Sequence, residues 1–409
     1  MQISAPPILT PANEAELAEL VRWAAAEEQP LQLGGAGTKS GFGRPVQSAH
    51  RLDLSRLSGI LDYQPAELVL TARAATPLSE IEAALGEKRQ MLAFEPGDWG
   101  PLYGHATGGG TVGGVLACNL SGPRRVKAGA ARDHFLGFRA VSGRGESFKA
   151  GGKVVKNVTG YDLSKLMAGS FGTLAALTEV TVKVLPAPEK TRTVLLLGLD
   201  DAAAVAAMSR ALGGAYEIAG AAHLPAGLAD RLALARLPAG AAVTALRLEG
   251  PGPSVEQRCA ALRGELSDSG AALDELHSQA SAALWPAVRD VLPFADAGSD
   301  AVLWRLSVPP STAAAVAARV ARPGSRHYFD WGGGLIWLAL PPAVDASAES
   351  VRSVLAASGG HATLVRAPDA VRSAVPVFHP QPAPLADLSR RVKQAFDPRG
   401  ILNPGRMGF

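Results

Sequence analysis

The stretch from Leu33 to Gly43, LGGAGTKSGFG, contains five glycines in eleven residues. Because glycine has no Cβ, the backbone of such a loop can approach a ligand closely and keep its N–H groups accessible. Successive backbone N–H groups can form a concave anion site without help from a side chain. The stretch therefore predicts a phosphate-binding loop, with a flexible surface loop as the alternative.

Two common phosphate motifs do not fit this loop. A Walker loop needs a glycine directly before its lysine, whereas Lys39 follows Thr38. A dinucleotide fingerprint needs G-x-G-x-x-G at the start of a helix, but Ser40 stands where the third glycine should be and Pro45 interrupts any helix behind it. The remaining hypothesis is a helix, a strand and a loop in that order, in which the loop amides bind a pyrophosphate without a helix dipole.

Two further blocks and the tail complete a pattern. Gly109 to Gly122 reads GGTVGGVLACNLSG, Val155 to Pro186 contains KNVTGYDLSKLMAGSFGTL, and Asn403-Pro404-Gly405 follows near the chain end. In this order the blocks resemble the FAD-binding domain of the vanillyl-alcohol oxidase-type flavoproteins, also called PCMH-type. Within that family the chain is most similar to the 2-hydroxyacid dehydrogenase branch, and there to the FAD-binding subunit of bacterial glycolate oxidase, on GGxGTK, KNVTGYDLSKLMxGSxGTL and FDWGGGLIWL.

The resemblance implies which residues hold FAD. The first loop would lie on the pyrophosphate, the second block beside the ribityl chain and the ring, and the tail would return to the flavin. Lys156 and Arg406 are candidates for the cation near the N1–C2=O edge of the ring. The implied cofactor-binding residues are Gly35, Ala36, Gly37, Thr38, Lys39, Ser40, Pro96, Gly97, Thr111, Gly113, Gly114, Asn119, Ser121, Gly122, Gly172, Ala176 and Asn403.

The sequence also differs from the motifs of that family in several places. Some relatives carry a histidine in the first loop that binds the flavin covalently, but here Lys39 occupies that region, so noncovalent FAD is expected. The metal and substrate motif G-H-x-G-D-G-N-x-H of single-chain members is missing from this sequence, and no metal site is expected. His327 remains as a candidate base and Arg326 as a candidate carboxylate clamp, with a structural histidine as the alternative.

Bulk composition excludes several function classes. The chain has 409 residues, a formal net charge of +3 and no block of Lys and Arg that would follow a nucleic-acid backbone. Its two cysteines, Cys118 and Cys259, cannot form a disulfide framework or hold a four-cysteine cluster, and a reducing, cytoplasmic setting fits them. No apolar run is long enough to span a bilayer, and the N-terminus lacks the pattern of a signal peptide.

The order of predicted elements gives the fold class, α+β. We expect a two-subdomain PCMH-type FAD-binding domain over residues 1–186 and an α+β cap domain over 187–376, with an antiparallel sheet covered by helices on one face. A C-terminal helix and tail, 377–409, should return to the FAD domain. The first helix is expected to be capped by Thr10, with Pro11 in its first turn.

The expected function is that of the FAD-binding subunit of a glycolate oxidase complex, which oxidises glycolate to glyoxylate. Because the cap lacks the metal and base motif, this chain would relay electrons or support a larger catalytic flavoprotein, and an iron–sulfur subunit would accept the electrons. A stand-alone dehydrogenase of small 2-hydroxy acids such as D-lactate is the first alternative. A non-catalytic scaffold that keeps the fold is the second. The expected location is the cytoplasm. The alternative is attachment to the inner face of the membrane through the complex.

Overall fold

The computed structural model describes residues 6–153, 160–232, 234, 236–295 and 301–408. In the part before residue 187 it contains ten strands and six α-helices among the described residues. They are β1 (Ile8–Leu9), α1 (Glu14–Ala26), β2 (Leu31–Gly34), β3 (His50–Asp53), β4 (Ile60–Gln64), β5 (Val69–Arg73), α2 (Leu78–Glu87), β6 (Gln90–Met91), α3 (Val112–Cys118), α4 (Arg125–Ala128), α5 (Ala131–His134), β7 (Phe135–Ser142), β8 (Ser147–Gly151), α6 (Leu163–Met167), β9 (Ala175–Lys183) and β10 (Leu185–Pro186).

These strands form two main sheets. β1, β3 and β2 make a small parallel sheet, and β4, β5, β9, β7 and β8 make a five-stranded antiparallel sheet in that order. β6 and β10 pair separately. The first glycine loop follows β2 directly, so the parallel sheet fixes where the loop begins.

The rest of the described chain builds one large sheet with helices. Its elements are β11 (Lys190–Leu197), α7 (Asp201–Gly213), β12 (Gly220–Leu224), β13 (Val243–Gly250), α8 (Gly252–Glu265), β14 (Ala272–His277), α9 (Ser278–Arg289), β15 (Val302–Ser307), α10 (Ala313–Val320), β16 (Arg326–Asp330), β17 (Leu335–Leu340), α11 (Ala348–Ser358), β18 (His361–Arg366), α12 (Asp369–Ala374) and α13 (Ala383–Phe396). The eight strands pair antiparallel in the order β14, β11, β13, β12, β16, β17, β15, β18.

The two faces of this large sheet bury different cores. On one face Trp304 and Phe329 pack under α7, α8, α10 and α11. On the other face Trp337 belongs to a core that continues into the first part of the chain, where it includes Phe94 and Val182. Successive side chains of a strand point to opposite faces of the sheet. The side chains on the second face are therefore the ones that contact the first part of the chain. The α+β class with an antiparallel, helix-covered sheet is confirmed.

A buried ionic network fastens the large sheet to the first part of the chain. Glu95 Oε1 lies 2.7 Å from Arg247 Nη1 on β13 and 3.1 Å from Arg124 Nη1, and Arg124 Nη2 lies 2.8 Å from Glu249 Oε1. Burial raises the pKa of Glu95, but the charges of Arg247 and Arg124 outweigh it and bring that pKa to about 2. The carboxylate is therefore ionised at neutral pH and pairs with both guanidinium groups.

The start of α1 differs from the sequence expectation. The helix begins at Glu14, and its cap is Asn13, whose side-chain oxygen accepts a hydrogen bond from the N–H of Glu16 at 2.9 Å. Thr10 and Pro11 precede the helix. Asn is as good a cap as Thr, and here its position satisfies the free N–H of the first turn. The buried face of α1 includes Leu17, Val21 and Ala24.

The segment after α13 returns to the first part of the chain. Leu402 forms a parallel bridge with Leu31, and the N–H of Asn403 donates to the carbonyl of Leu31 at 2.9 Å. Lys393 on α13 holds this segment: its buried ammonium donates to the carbonyls of Thr173 at 2.6 Å and Leu402 at 2.9 Å, and it pairs with Asp397. The segment thereby extends the small parallel sheet beside β2.

Candidate cofactor site

A cavity of about 400 Å³ lies where the first glycine loop, α3, β9 and the C-terminal segment meet. Its wall includes backbone of the loop on one side and the first turn of α3 on the other. The described residues that line it are Gln32, Leu33, Gly34, Gly35, Ala36, Gly37, Thr38, Lys39, Ser40, Phe42, Arg51, Leu54, Ala74, Ala75, His105, Thr111, Gly113, Gly114, Ala117, Cys118, Ser170, Phe171, Gly172, Ala175, Leu177, Asn403 and Arg406.

The loop offers unused backbone donors to this cavity. Internal hydrogen bonds of the loop begin at Ser40, whose N–H donates to the carbonyl of Gly37 at 3.0 Å. Within the described chain, the N–H groups from Gly35 to Lys39 have no protein acceptor. Gly37 has a φ of +74°, which lets the backbone turn its amides inward. This arrangement fits the anion nest expected for a pyrophosphate.

The charge of the lining also fits an anionic cofactor. Among the described lining residues, Lys39, Arg51 and Arg406 are cationic, and none is a carboxylate. The ammonium of Lys39 donates to Thr38 Oγ1 at 3.2 Å, and burial lowers its pKa. Burial likewise lowers the pKa of Arg406. Buried cations that have no carboxylate beside them in a cavity favour the binding of a negatively charged group.

Helix α3 approaches the cavity because it contains two glycines. Thr111 caps it by accepting a hydrogen bond from the N–H of Gly114 at 3.3 Å. The N–H of Gly113 donates to the carbonyl of Ala74 at 2.8 Å, and a Cβ at Gly113 would lie 2.6 Å from that oxygen. Only glycine therefore permits this contact between the helix and the end of β5.

The C-terminal segment closes the cavity through Asn403. Its side-chain oxygen accepts from the N–H of Leu33 at 2.8 Å, and its amide nitrogen donates to the carbonyl of Phe171 at 2.8 Å. Gly172, with a φ of +67°, leaves room for that amide, because a Cβ there would lie 2.9 Å from Asn403 Nδ2. Asn403 thus joins β2 to the segment before β9.

The structure brings most of the predicted cofactor residues to one cavity. Those that line it are Gly35, Ala36, Gly37, Thr38, Lys39, Ser40, Thr111, Gly113, Gly114, Gly172 and Asn403. They come from four separate stretches of sequence. Arg406 also lines the cavity, whereas Lys156 lies outside the described residues.

Four predicted residues near the end of α3 and beyond it do not line the cavity. Asn119, with a φ of +50°, ends α3 and turns the chain away, and its side chain accepts from the N–H of Arg132 at 3.1 Å. Ser121 Oγ accepts from the N–H of Ala131 at 2.9 Å. The carbonyl of Gly122 accepts from Trp331 Nε1 at 3.1 Å. Ala176 points to the opposite face of β9 from Ala175 and packs with residues of α1.

Pro96 and Gly97 are also absent from the lining. Both are buried beside Glu95, at the contact with the large sheet. A Cβ at Gly97 would lie 2.8 Å from Trp99 Nε1 and 3.3 Å from the carbonyl of Arg289. In this structure the turn therefore packs against α9.

His327 and Arg326 do not reach the cavity. His327 faces the helix layer of the large sheet, where its Nε2 lies 2.8 Å from Asp201 Oδ2 on the first residue of α7. Arg326, one position earlier on β16, faces the opposite way, and its guanidinium carbon lies 5.7 Å from the ring centre of Phe294. The two side chains point to opposite faces because they are neighbours on one strand, and they cannot act together on one substrate.

Several lining residues were missed by the sequence analysis. Arg51 comes from β3, which pairs with β2, so its guanidinium lies 3.3 Å from where a Cβ of Gly37 would be. Phe42 lies within the first glycine stretch and His105 shortly before the second, and that proximity was the available signal. Phe171 precedes Gly172. The sequence around Arg51 gives no sign that this residue lines the cavity, because its position depends on the pairing of β3 with β2.

No described residue between 187 and 376 lines this cavity. Aromatic side chains lie at the contact between the large sheet and the first part of the chain instead. The ring centres of Phe42 and Trp99 are 5.3 Å apart, and those of Trp99 and Trp337 on β17 are 5.4 Å apart. These three side chains are buried, so the sheet packs on the cavity wall through apolar surface.

The described residues contain neither a candidate metal cluster nor a helix that could cross a membrane. No group of three or more His, Cys, Asp or Glu side chains has the arrangement of a metal site. None of the described helices combines the length and the hydropathy that crossing a membrane requires.

Comparisons with known proteins identify the family. Residues 5–151 match the model of the FAD binding domain, and residues 382–407 match the C-terminal domain of FAD linked oxidases. The chain is 37% identical to glycolate oxidase subunit GlcE of Escherichia coli over 393 residues, which covers 96% of each chain. It is 29% identical to glycolate oxidase subunit GlcD of Bacillus subtilis over 46% of this chain and 39% of that one.

Solved structures agree on the fold. An alkyldihydroxyacetonephosphate synthase superposes with a TM-score of 0.71 at 16% identity and covers 98% of this chain and 78% of its own. A 4-ethylphenol oxidase from Gulosibacter chungangensis superposes with a TM-score of 0.72 at 15% identity, over 98% and 88%. The expectation of a PCMH-type fold is confirmed. The chain belongs to the FAD-linked oxidase family and is an FAD-dependent oxidoreductase of the PCMH-type fold.

Proposed function

We propose that this chain is the FAD-binding subunit of a glycolate oxidase complex and that it relays electrons or supports the oxidation by another subunit. The similarity to a glycolate oxidase subunit over 96% of both chains supports the complex. The observation that carries the supporting role is the cavity lining: no described residue of the large sheet reaches it, and buried aromatic rings occupy the contact. A partner flavoprotein would then oxidise the acid.

The chain's own residues would bind and orient the cofactor. When bound, FAD supplies the acceptor for a hydride or for electrons. The loop amides from Gly35 to Lys39 would hold its pyrophosphate, and Lys39 and Arg406 would add positive charge to the cavity. Asn403 would keep β2 and the segment before β9 at a fixed separation through its two hydrogen bonds. A larger catalytic flavoprotein and an iron–sulfur subunit are the proposed partners.

We further propose that the FAD is bound noncovalently. The first loop has no histidine, and burial raises the pKa of the Cys118 thiol, which keeps that side chain protonated and a poor nucleophile. After precipitation of the yellow protein with acid, the absorbance at flavin wavelengths should appear in the supernatant. A yellow pellet after washing would contradict this proposal, and the variants His105→Ala and Cys118→Ala would then show which side chain forms the bond.

The supporting role can be tested with the isolated chain. Under anaerobic conditions, addition of glycolate should leave the flavin absorbance of the purified subunit largely unchanged. Addition of the partner flavoprotein with glycolate should bleach it. Complete and rapid bleaching of the isolated chain would overturn the supporting role and favour a stand-alone 2-hydroxyacid dehydrogenase. A protein that is colourless as purified and does not take up added FAD would favour the non-catalytic scaffold.

We propose a cytoplasmic location, with contact to the inner membrane face through the complex. Cys118 and Cys259 are both free thiols in the structure, which fits a reducing compartment.

A further inference from the structure

The motif FDWGGGLIWL, residues 329–338, contains a buried carboxyl group that the cofactor site does not use. Asp330, the last residue of β16, is only 2% exposed. Its side-chain oxygen accepts a hydrogen bond from the N–H of the next residue, Trp331, at 2.7 Å. Within the described chain no other group donates a hydrogen bond to this carboxyl, and no cation forms an ion pair with it. One neutral donor is little compensation for a buried carboxylate charge.

The charged and titratable groups around Asp330 leave it without a counter-ion. The guanidinium of Arg247 on β13 pairs with Glu95 instead, at 2.7 Å. Arg305 on β15 is the other cation that acts on Asp330, and within the described chain its guanidinium has neither a hydrogen-bond acceptor nor an ion-pair partner. Tyr328, two positions earlier on β16, is uncharged at neutral pH because burial raises the pKa of its phenol. Ionisation of Asp330 would therefore add a second negative charge near Glu95 in a buried contact, which is unfavourable.

A carboxyl in these surroundings keeps its proton up to neutral pH. Burial raises the pKa of Asp330 to about 7, and the negative charge of Glu95 acts in the same direction. The N–H of Trp331 and the charges of Arg247 and Arg305 oppose this rise without cancelling it. The buried position and the missing counter-ion thus lead to the same conclusion as the pKa: Asp330 changes its charge near neutral pH.

Trp331 joins this group of residues to the glycine-rich block that ends at Gly122. Its Nε1 donates to the carbonyl of Gly122 at 3.1 Å, and a Cβ at Gly122 would lie 2.8 Å from the carbonyl oxygen of Glu95. The guanidinium carbons of Arg125 and Arg305 lie 4.2 and 5.0 Å from the centre of the Trp331 ring. The backbone of Trp331 has a φ of +54°, which a residue with a side chain rarely adopts. Such a conformation persists only while the surrounding contacts hold it.

Ionisation of Asp330 would change the preferred partner of Arg305. Arg305 pairs with Trp337 on β17, and Asp330 pairs with Leu335, two positions earlier on the same strand. Both side chains therefore point to one face of the sheet, the face toward the first part of the chain. A guanidinium is attracted more strongly by a carboxylate than by an indole ring. A movement of Arg305 toward an ionised Asp330 would remove one of the contacts that hold Trp331.

We propose that Asp330 keeps its proton while Trp331 is docked on Gly122 and that loss of this proton releases Trp331, so that the contact between the large sheet and the first part of the chain is a pH-controlled latch. The latch is closed below neutral pH and loosens above it. Thr111 and Gly113 of the block that ends at Gly122 line the cofactor cavity, so the latch acts close to the cofactor. It depends on neither the substrate nor the partner subunits of the proposed function.

Urea unfolding at different pH values tests the proton. An acid with a higher pKa in the folded protein than in the unfolded chain binds more protons when folded, so its contribution to stability falls as the pH rises from about 4 to about 7. Asp330→Asn is neutral at every pH and lacks this dependence. We expect the unfolding constant of the wild type, divided by that of Asp330→Asn, to rise about thirtyfold between about pH 5.5 and about pH 8.5. A constant ratio would overturn the proposal.

Asp387→Asn is the matched control. It makes the same chemical change on the surface of α13, where the Asp387 side chain is 59% exposed. The ratio of unfolding constants between the wild type and this variant should stay level over the same pH range. A rise equal to that of Asp330→Asn would show that the effect does not come from the buried contact, and it would overturn the proposal.

Infrared difference spectra read the proton in the folded protein and need no unfolding. The wild type should show the C=O stretch of a protonated carboxylic acid that disappears as the pH rises through about 7. Arg305→Gln removes a positive charge that lowers the pKa of Asp330, so in this variant the band should persist to higher pH. A band with the same midpoint in both proteins would overturn the link between Asp330 and Arg305, and with it the latch.

The indole N–H of Trp331 reads the release itself. Its NMR signal can be assigned by its loss in Trp331→Phe, and its exchange with solvent reports how often the bond to Gly122 opens. At about pH 8.5 we expect exchange in the wild type to be about tenfold faster than in Asp330→Asn, and at about pH 5.5 the two rates should agree. Equal rates in the two proteins at both pH values would show that Trp331 stays docked after the proton is lost and would overturn the latch.

Discussion

Gly37→Val should yield a folded protein that has lost its yellow colour. At Gly37 the backbone has a φ of +74°, a conformation that a β-branched residue rarely adopts. A valine in this backbone conformation would cost about 1–2 kcal/mol, and the loop would adopt another conformation to relieve that strain. A Cβ there would also lie 3.3 Å from Arg51 Nη2 and displace that cation. Because several loop amides would bind the pyrophosphate together, we expect FAD occupancy below about a tenth of the wild type, a loss of roughly 1.4 kcal/mol or more.

Gly240→Val is the control for this prediction. Gly240 has the same φ, +74°, and no atom lies within 4 Å of where its Cβ would be. It does not line the cofactor cavity, so the variant should carry the same backbone strain and keep its flavin. The measurement is the ratio of flavin to protein absorbance after gel filtration. A Gly37→Val protein with a normal ratio would show that this loop does not hold the cofactor.

Lys393→Met should have the largest effect on stability. The Lys393 ammonium is buried with Asp397, which is itself fully buried and accepts from the N–H groups of Ile401 and Leu402 at 3.1 and 2.8 Å. Removal of one member of a buried ion pair leaves the other charge without a partner, at a cost of about 3–5 kcal/mol. We expect a large drop in the urea concentration at the unfolding midpoint, and loss of FAD before the global transition.

Arg390→Ala provides the comparison on the same helix. Arg390 pairs with Asp387, but both side chains are 59% exposed. An exposed pair contributes about 0–1 kcal/mol, so the unfolding midpoint of this variant should stay near that of the wild type. Circular dichroism and flavin fluorescence followed in the same titration would give both midpoints. Similar shifts in the two variants would contradict the anchoring role of Lys393.

The cofactor loop was predictable because its information is local. The glycines, the misplaced lysine and the serine at the third glycine position are all within Leu33–Gly43, and they excluded two other phosphate motifs. The block around Thr111 and Gly113 is equally local, since its cap and its close helix contact depend on residue type. Both blocks line the cavity in the structure.

The remainder of the site depends on pairings that local pattern does not encode. Arg51 enters through the register of β3 against β2. Ala176 was assigned to the cofactor only through the resemblance, and on β9 its side chain faces α1 and not the cavity, because successive residues of a strand point to opposite faces. His327 was a chemically reasonable candidate, but the sheet face that it occupies belongs to the helix layer.

The hydrogen bond from the N–H of Leu33 to the side-chain oxygen of Asn403 joins positions 370 residues apart in the chain. On the ribosome, at about 5–20 residues per second, β2 emerges roughly 20–70 s before its neighbour from the C-terminal segment. During that interval the first loop can exist, but the cavity has no closing wall and Lys393 has not anchored the segment. Cofactor loading should therefore follow the emergence of Asn403, and a nascent chain halted before Asn403 should be recovered without flavin.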